Sequence, residues 1–235
     1  SLYLVSLLPI LAWFEQSVAF INVGQGDSIL IQDRDTVVMI DTGGNVGFDM
    51  ASETLIPYLR KRRIYHVDCL IASHHDYDHI GAADSLQANF EVKRFVDGDE
   101  GFPLTVGGMT FNNLNVWGGT EENETSLVLR LDFMDKTWLF MGDAPVEVER
   151  KIAKNNPKIE CDVLKVGHHG SNTSTSAALL SWATPEEAVI SVGAKNSYGH
   201  PSQDVLDRLS SYRVKTRRTD EEGTIVYSRW VSPWL

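Results

Sequence analysis

Short apolar runs separated by polar, glycine-containing turns recur along the whole chain. Residues 18–23 and 28–31 flank Gly24-Gln25-Gly26-Asp27, a pattern that predicts two strands joined through a hairpin turn. A third strand is expected at residues 36–40, ending at Asp41. From about Ser52 to Arg62, Leu55, Ile56 and Leu59 share one helical face, and Pro57 is tolerated near the first turn. A strand at 67–72 then precedes a helix expected over about 79–87, and short strands follow near 92–96, 109–116, 126–132 and 137–141. The second half alternates: helices at 146–153, 174–182 and 203–209, with strands at 162–166, 188–192 and 224–228. Apolar strands with helices between them predict a mixed α/β fold in layers, helices outermost.

A chain of 235 residues with 43% hydrophobic and 23% charged residues is long enough for one sizeable core and has a globular composition. No low-complexity run or long linker divides it, which favours a single main domain. The N-terminal segment, residues 2–14, is apolar apart from Ser6. It is shorter than the roughly 20 residues that span a bilayer, and lacks the basic start and small-residue cleavage site of a signal peptide. Residues 1–15 are therefore expected to be the tail of a transmembrane helix, with a short core-packed helix as the alternative, and 16–235 the globular domain. Cys69 and Cys161 lie in apolar runs without C-x-x-C spacing and are expected to be buried free thiols. The net charge of −11 opposes any function based mainly on neutralising phosphates. Only Lys61-Arg62-Arg63 and Lys215-Thr216-Arg217-Arg218 form local basic patches, and their plainer reading is solvated charge at a helix end and a turn.

Chemistry concentrates where apolar runs end. The strand at 67–72 leads into Ser73-His74-His75-Asp76-Tyr77-Asp78-His79-Ile80-Gly81, which places three imidazoles and two carboxylates within six residues. Leu139-Phe140-Met141-Gly142-Asp143 ends in a carboxylate, and Val163-Leu164-Lys165-Val166-Gly167-His168-His169-Gly170-Ser171 in two imidazoles. Three strands that each deliver donors at one end predict a metal centre.

These motifs, together with Phe20-Ile21-Asn22-Val23-Gly24-Gln25-Gly26-Asp27-Ser28, Asp41-Thr42-Gly43-Gly44 and Tyr198-Gly199-His200-Pro201-Ser202, resemble the metallo-β-lactamase superfamily. Within it, they are most similar to the hydrolase domain of ComEC-type competence proteins. The resemblance implies an αββα sandwich of two mixed sheets flanked by helices, holding two divalent metal ions and no organic cofactor. His74 and Asp76 would bind the first ion, Asp78 and His79 the second, and Asp143 would bridge them. One of His168 and His169 would complete the ligand set of the second ion; the reading leans to His169, with His168 facing substrate. His75 is expected to point away. Asp78, His200 and Lys165 are the candidates for catalysis, His200 at a phosphate or leaving group and Lys165 on phosphate, with a solvated strand-end lysine as the plainer alternative. Asp41 is expected to support the site rather than ligate.

Two departures from the superfamily pattern bear on the metal. Asp76 stands where a second histidine is usual, and no histidine occurs between Ile80 and Lys165, with Asn123 and Ser126 where one would be expected. Oxygen-rich shells favour Mn²⁺, with Zn²⁺ or Mg²⁺ as alternatives. The resemblance implies a metal-dependent nuclease acting on the non-imported strand of DNA. Its partners would be DNA and the membrane channel of the same parent protein, with the domain on the extracytoplasmic side of the plasma membrane. Hydrolysis of cell-surface phosphodiesters such as phosphocholine groups, and a metal-poor domain that binds DNA or braces the channel, remain open alternatives.

Overall fold

Alternating burial along β1 (Glu15–Phe20) shows how the layers form: Val18 and Phe20 enter one hydrophobic cluster, Ala19 and, just beyond the strand, Ile21 another. A strand buried on both faces needs a cover on each, and the fold supplies a second sheet on one side and helices on the other. The computed structural model describes residues 15–116 and 119–231. The apolar segment 2–14 lies outside the described residues, and Glu15, expected to close that segment, belongs to β1.

The remaining strands of the first half are β2 (Ile29–Asp33), β3 (Thr36–Ile40), β4 (His66–Val67), β5 (Cys69–Ala72), β6 (Glu91–Val92) and β7 (Phe95–Asp97). Those of the second half are β8 (Leu104–Val106), β9 (Met109–Asn113), β10 (Leu129–Phe133), β11 (Lys136–Phe140), β12 (Val163–Lys165), β13 (Glu187–Ile190), β14 (Lys215–Arg218) and β15 (Ile225–Trp230). One sheet runs β15-β1-β2-β3-β5-β7, the other β14-β13-β12-β11-β10-β9-β8, and β4 pairs with β6 in a small ribbon. Phe20, Ile31, Ile40, Leu129, Trp138 and Phe140 are among the residues that fill the space between the two large sheets.

Helices α1 (Ile56–Lys61), α2 (Tyr77–Ile80) and α3 (Ala83–Asn89) follow in the first half, and Leu59 and Leu86 join the cluster on the outer face of the first sheet. Helices α4 (Val146–Asn155), α5 (Ala177–Ala183) and α6 (Gln203–Ser211) belong to the second half, and Val148, Ile152, Leu180, Val205 and Leu209 lie in the cluster on the outer face of the second. The short α7 (Thr219–Glu222) precedes β15. The αββα sandwich is thus the observed architecture.

Several boundaries differ from the sequence reading. The helix expected over 79–87 is two helices, α2 and α3, offset at Gly81, where an added Cβ would stand 2.4 Å from the Tyr77 carbonyl oxygen. The strand expected at 92–96 splits between β6 and β7, which join different sheets. Residues 215–218, expected as a turn, form edge strand β14, whose cations pair within the domain: Lys215 with Glu187, Arg217 with Glu222, and Arg218 with Asp220. Alternating polar and charged residues hide an edge strand from hydrophobic periodicity.

Candidate metal centre

β3 and β5 run parallel in one sheet, and β11, β12 and β13 run parallel in the other. The segments that leave their carboxyl ends carry Asp41, the 73–79 loop, Asp143, His168-His169 and the 193–200 loop. One edge of the sandwich therefore collects all of these donors.

The loop after β5 is pinned from beneath. Asp41 accepts hydrogen bonds from the Ser73 backbone N–H (2.7 Å) and the Ser73 hydroxyl (2.6 Å), and its Oδ2 lies 2.8 Å from His79 Nδ1. With Nδ1–H held by Asp41, His79 Nε2 is the free donor, 3.2 Å from Asp143 Oδ1. The Ser73 hydroxyl also lies 3.0 Å from His74 Nδ1, so His74 Nε2 turns toward the same carboxylate, 3.9 Å from Asp143 Oδ2. Gly26, at φ +133°, lets the hairpin turn approach this loop: a Cβ there would stand 2.2 Å from the Asp78 carbonyl oxygen.

The second sheet completes the array. The Ser126 hydroxyl accepts the Asp143 backbone N–H at 3.2 Å. His168 and His169 both adopt left-handed backbone, with φ 47° and 52°, inside the Gly167–Gly170 turn. This conformation is costly for a non-glycine residue and is expected where a site dictates side-chain aim. It sends the two rings in different directions. His169 is buried, with Nδ1 2.9 Å from the Ser191 carbonyl, leaving Nε2 3.1 Å from Asp78 Oδ2 and 3.8 Å from Asp143 Oδ2. His168 faces the open side, with Nε2 3.7 Å from Asp143 Oδ2 and Nδ1 3.2 Å from the Thr173 hydroxyl.

Charge is concentrated accordingly. Burial opposes the ionised Asp143, but His79, His169 and His74 hold it well below the usual carboxylate range. Burial also disfavours a charged His79, yet Asp143 and Asp41 outweigh that and raise its pKa well above the ordinary imidazole value. The Nε2 atoms of His74, His79 and His169 and Oδ1 of Asp143 are buried without hydrogen-bond partners. Such atoms are normally satisfied, so four convergent exceptions from three loops fit the donor set of bound cations. His74, His79 and Asp143 form one group with ligand atoms within 4.8 Å of one another, and Asp78, His79 and His169 form a second.

Of the residues expected in the site, His74, Asp78, His79, Asp143 and His169 are brought together, with His168 beside them. Asp76 stands at the rim, 46% exposed, with Oδ2 3.5 Å from His74 Nε2. His75 points away and pairs with Asp97 and Glu122. Lys165 requires a correction. It is fully buried, its ammonium lies 2.6 Å from Asp27 Oδ2 and donates to the Val166 carbonyl at 2.8 Å, so it does not face the cleft where a phosphate would sit. The three-residue strand β12 turns this side chain into the sandwich, a direction that its polarity alone does not reveal.

His200 lies beside His168, ring centroids 5.6 Å apart. Asn196 fixes its loop: the side-chain oxygen accepts the His200 N–H at 3.0 Å and the side-chain amide donates to the His200 carbonyl at 2.6 Å. Gly170 has φ +83°, and a Cβ there would meet the Pro201 Cβ at 2.6 Å, so the two histidine loops touch directly. Burial, then His168 and His169, lower the His200 pKa and leave it neutral at neutral pH.

Sequence reasoning missed Ser73 as the hydroxyl linking Asp41, His74 and His79, and Glu149, a buried carboxylate on α4. Glu149 accepts the backbone N–H groups of Thr175 and Ser176 (2.8 Å), which follow the double-histidine turn. A glutamate in an amphipathic helix carries no local signal of this. Ser73 does: it begins the histidine-rich loop.

Residues 21–115 match the model of the metallo-beta-lactamase superfamily. ComE operon protein 3 of Bacillus subtilis is 32% identical over 96% of this chain and 34% of its own length. The chain carries a metallo-β-lactamase domain. Competence protein ComA of Neisseria gonorrhoeae is 28% identical to this metallo-β-lactamase domain over 91% of the chain and 32% of the relative. The chain thus spans about a third of the length of these curated relatives. The metallo-beta-lactamase fold protein YhfI from Bacillus subtilis superposes with a TM-score of 0.62 at 13% identity, covering 91% of this chain and 100% of that one. That likeness shows the fold shared by this metallo-β-lactamase domain. Among the described residues, no helix is long and apolar enough to cross a membrane.

Proposed function

We propose that this domain is a binuclear metal-dependent phosphodiesterase that hydrolyses DNA as part of a longer, membrane-embedded uptake protein, with the domain on the extracytoplasmic side. The observation that carries the reading is the convergence of the buried, unpartnered Nε2 atoms of His74, His79 and His169 on the Asp143 carboxylate. The DNA assignment draws support from the similarity to ComE operon protein 3 and Competence protein ComA.

In this reading His74 and Asp76 would hold one divalent ion, Asp78, His79 and His169 would hold the other, and Asp143 would serve both. Bound ions of this kind supply an activated water and neutralise charge on a phosphoryl group. Asp41 and the Ser191 carbonyl keep the Nδ1 protons of His79 and His169, so it is Nε2 of each ring that would turn to a bound cation, which would take the place of the second ring proton favoured without it. His168 and His200 line the open side. His200, neutral at neutral pH, donates its single ring N–H to a phosphate oxygen or to the leaving oxygen. The rim position of Asp76 adds oxygen to the first shell, which favours Mn²⁺.

The test measures metal content and cleavage on the same samples, with Mn²⁺, Mg²⁺ or Zn²⁺, against an oligonucleotide and a small chromogenic phosphodiester. Wild type is expected to hold two ions and cut DNA. Asp143→Ala should lose both properties. His200→Ala should keep its ions while turnover falls roughly 10²–10³-fold, the range for losing one hydrogen-bond donor to developing negative charge. A metal-loaded wild type that leaves DNA intact would overturn the reading.

A further inference from the structure

An aromatic column leads from solvent into the metal-ligand cluster. Tyr198 is 70% exposed, and its ring stacks on His200 with centroids 5.8 Å apart and planes 24° from parallel. His200 in turn meets His168 edge to face at 5.6 Å, and His168 Nε2 is 3.7 Å from Asp143. The loop that carries Tyr198 is held by a side chain: Asn196 Oδ1 accepts both the Tyr198 N–H, at 3.1 Å, and the His200 N–H. The column is therefore fixed in place, with its terminal ring beside His200 and most of its surface turned to water.

We propose that Tyr198 is a nucleobase-stacking residue, positioning a base next to the phosphate that lies over His168 and His200; this rests on the phosphodiesterase reading above. A large exposed aromatic, backed by a second ring and one ring step from the ligand cluster, offers the π-face that unpaired bases of any sequence occupy. The charge balance favours such a surface. With a net charge of −11, and with Arg217, Arg218 and Lys215 engaged with acidic neighbours, little of the attraction for DNA comes from phosphate neutralisation. Stacking is largely independent of salt and charge, and a base on the outer face of Tyr198 extends an array that already exists. The residue acts through position. It sets where the backbone lies relative to His200 and takes no part in proton transfer.

Fluorescence anisotropy with a 5′-labelled oligodeoxyadenylate and an abasic tetrahydrofuran strand of the same length tests this directly, alongside cleavage of both strands with Mn²⁺. Wild type should bind the base-bearing strand about 5- to 100-fold more tightly than the abasic one. Tyr198→Ala should remove that ratio, and Tyr198→Phe, which keeps the ring, should restore it. Equal affinity of wild type for both strands, or a ratio that survives Tyr198→Ala, overturns the proposal. A ratio that depends on the ring, with neither strand cleaved, sustains base stacking and overturns the phosphodiesterase reading instead.

Discussion

His79 Nδ1 lies 2.8 Å from Asp41 Oδ2, and both side chains are buried. Two residues 38 positions apart, with α1, β4 and β5 between them, are thereby joined into one unit, with Ser73 bonded to the same carboxylate. Three donors converge on Asp41, so an amide in its place would turn an N–H₂ group toward at least one of them. Asp41→Asn should lower metal affinity about 10–100-fold, the usual consequence of losing a carboxylate behind a ligating histidine. Titration against a chelating indicator checks this, and unchanged affinity would reduce the Asp41 contact to packing.

Lys165 and Asp27 form a fully buried ion pair beneath the site. Burial works against ionised Asp27, but Lys165, followed by His169, holds its pKa far below the usual range. Removing one partner strands the other charge. Lys165→Met should cost about 3–5 kcal/mol of stability. The double variant Lys165→Met with Asp27→Asn should recover part of the loss, as urea denaturation of the three proteins would show. A small effect in the single variant would mean that water reaches the pair.

Asp76 is the half-exposed member of the ligand loop, 3.5 Å from His74 Nε2. Replacing an oxygen donor with nitrogen makes a site softer. Asp76→His should therefore shift the metal supporting hydrolysis from Mn²⁺ toward Zn²⁺ at matched occupancy. A wild type most active with Zn²⁺ would contradict the assignment of metal preference to this side chain.

Glu149 connects stability to pH. Burial raises its pKa above the ordinary 4.5, only partly offset by hydrogen bonds from Ser176 and Thr175. The folded chain thus holds this proton more tightly than the unfolded chain, so the contribution is complete below about 4.5 and is lost as pH rises through the higher folded value. Glu149→Gln cannot titrate. Its stability deficit relative to wild type should be largest below pH 4.5 and shrink above it. A deficit constant with pH would show that Glu149 binds its proton equally in the folded and unfolded chain.

Hydrophobic alternation revealed most strands because nearly all are buried on at least one face, as in β1, β2 and β3. It failed at β14, where an edge strand of cations needs no apolar face, and at residues 79–87, where close approach of Gly44 and Gly81 interrupts the helix. The residue types of the candidate site were also legible, because the histidines and aspartates of 74–79, 143 and 168–169 follow closely on apolar strands. Lys165 was not. Its position next to that motif suggested a phosphate contact, whereas its partner Asp27 lies in the turn between β1 and β2 of the opposite sheet.

The sequence by itself determined the mixed α/β layering and the set of histidines and aspartates that gather at one edge of the sandwich, since both follow from local spacing: period-two burial in strands and polar donors at strand ends. The tertiary structure alone decided how those donors divide the work. Left-handed backbone at 168 and 169 buries one imidazole and exposes the other, and the Ser191 carbonyl and Asp41 choose which ring nitrogens stay free. Such choices depend on groups far apart in the chain, whose separation only the packed sandwich closes.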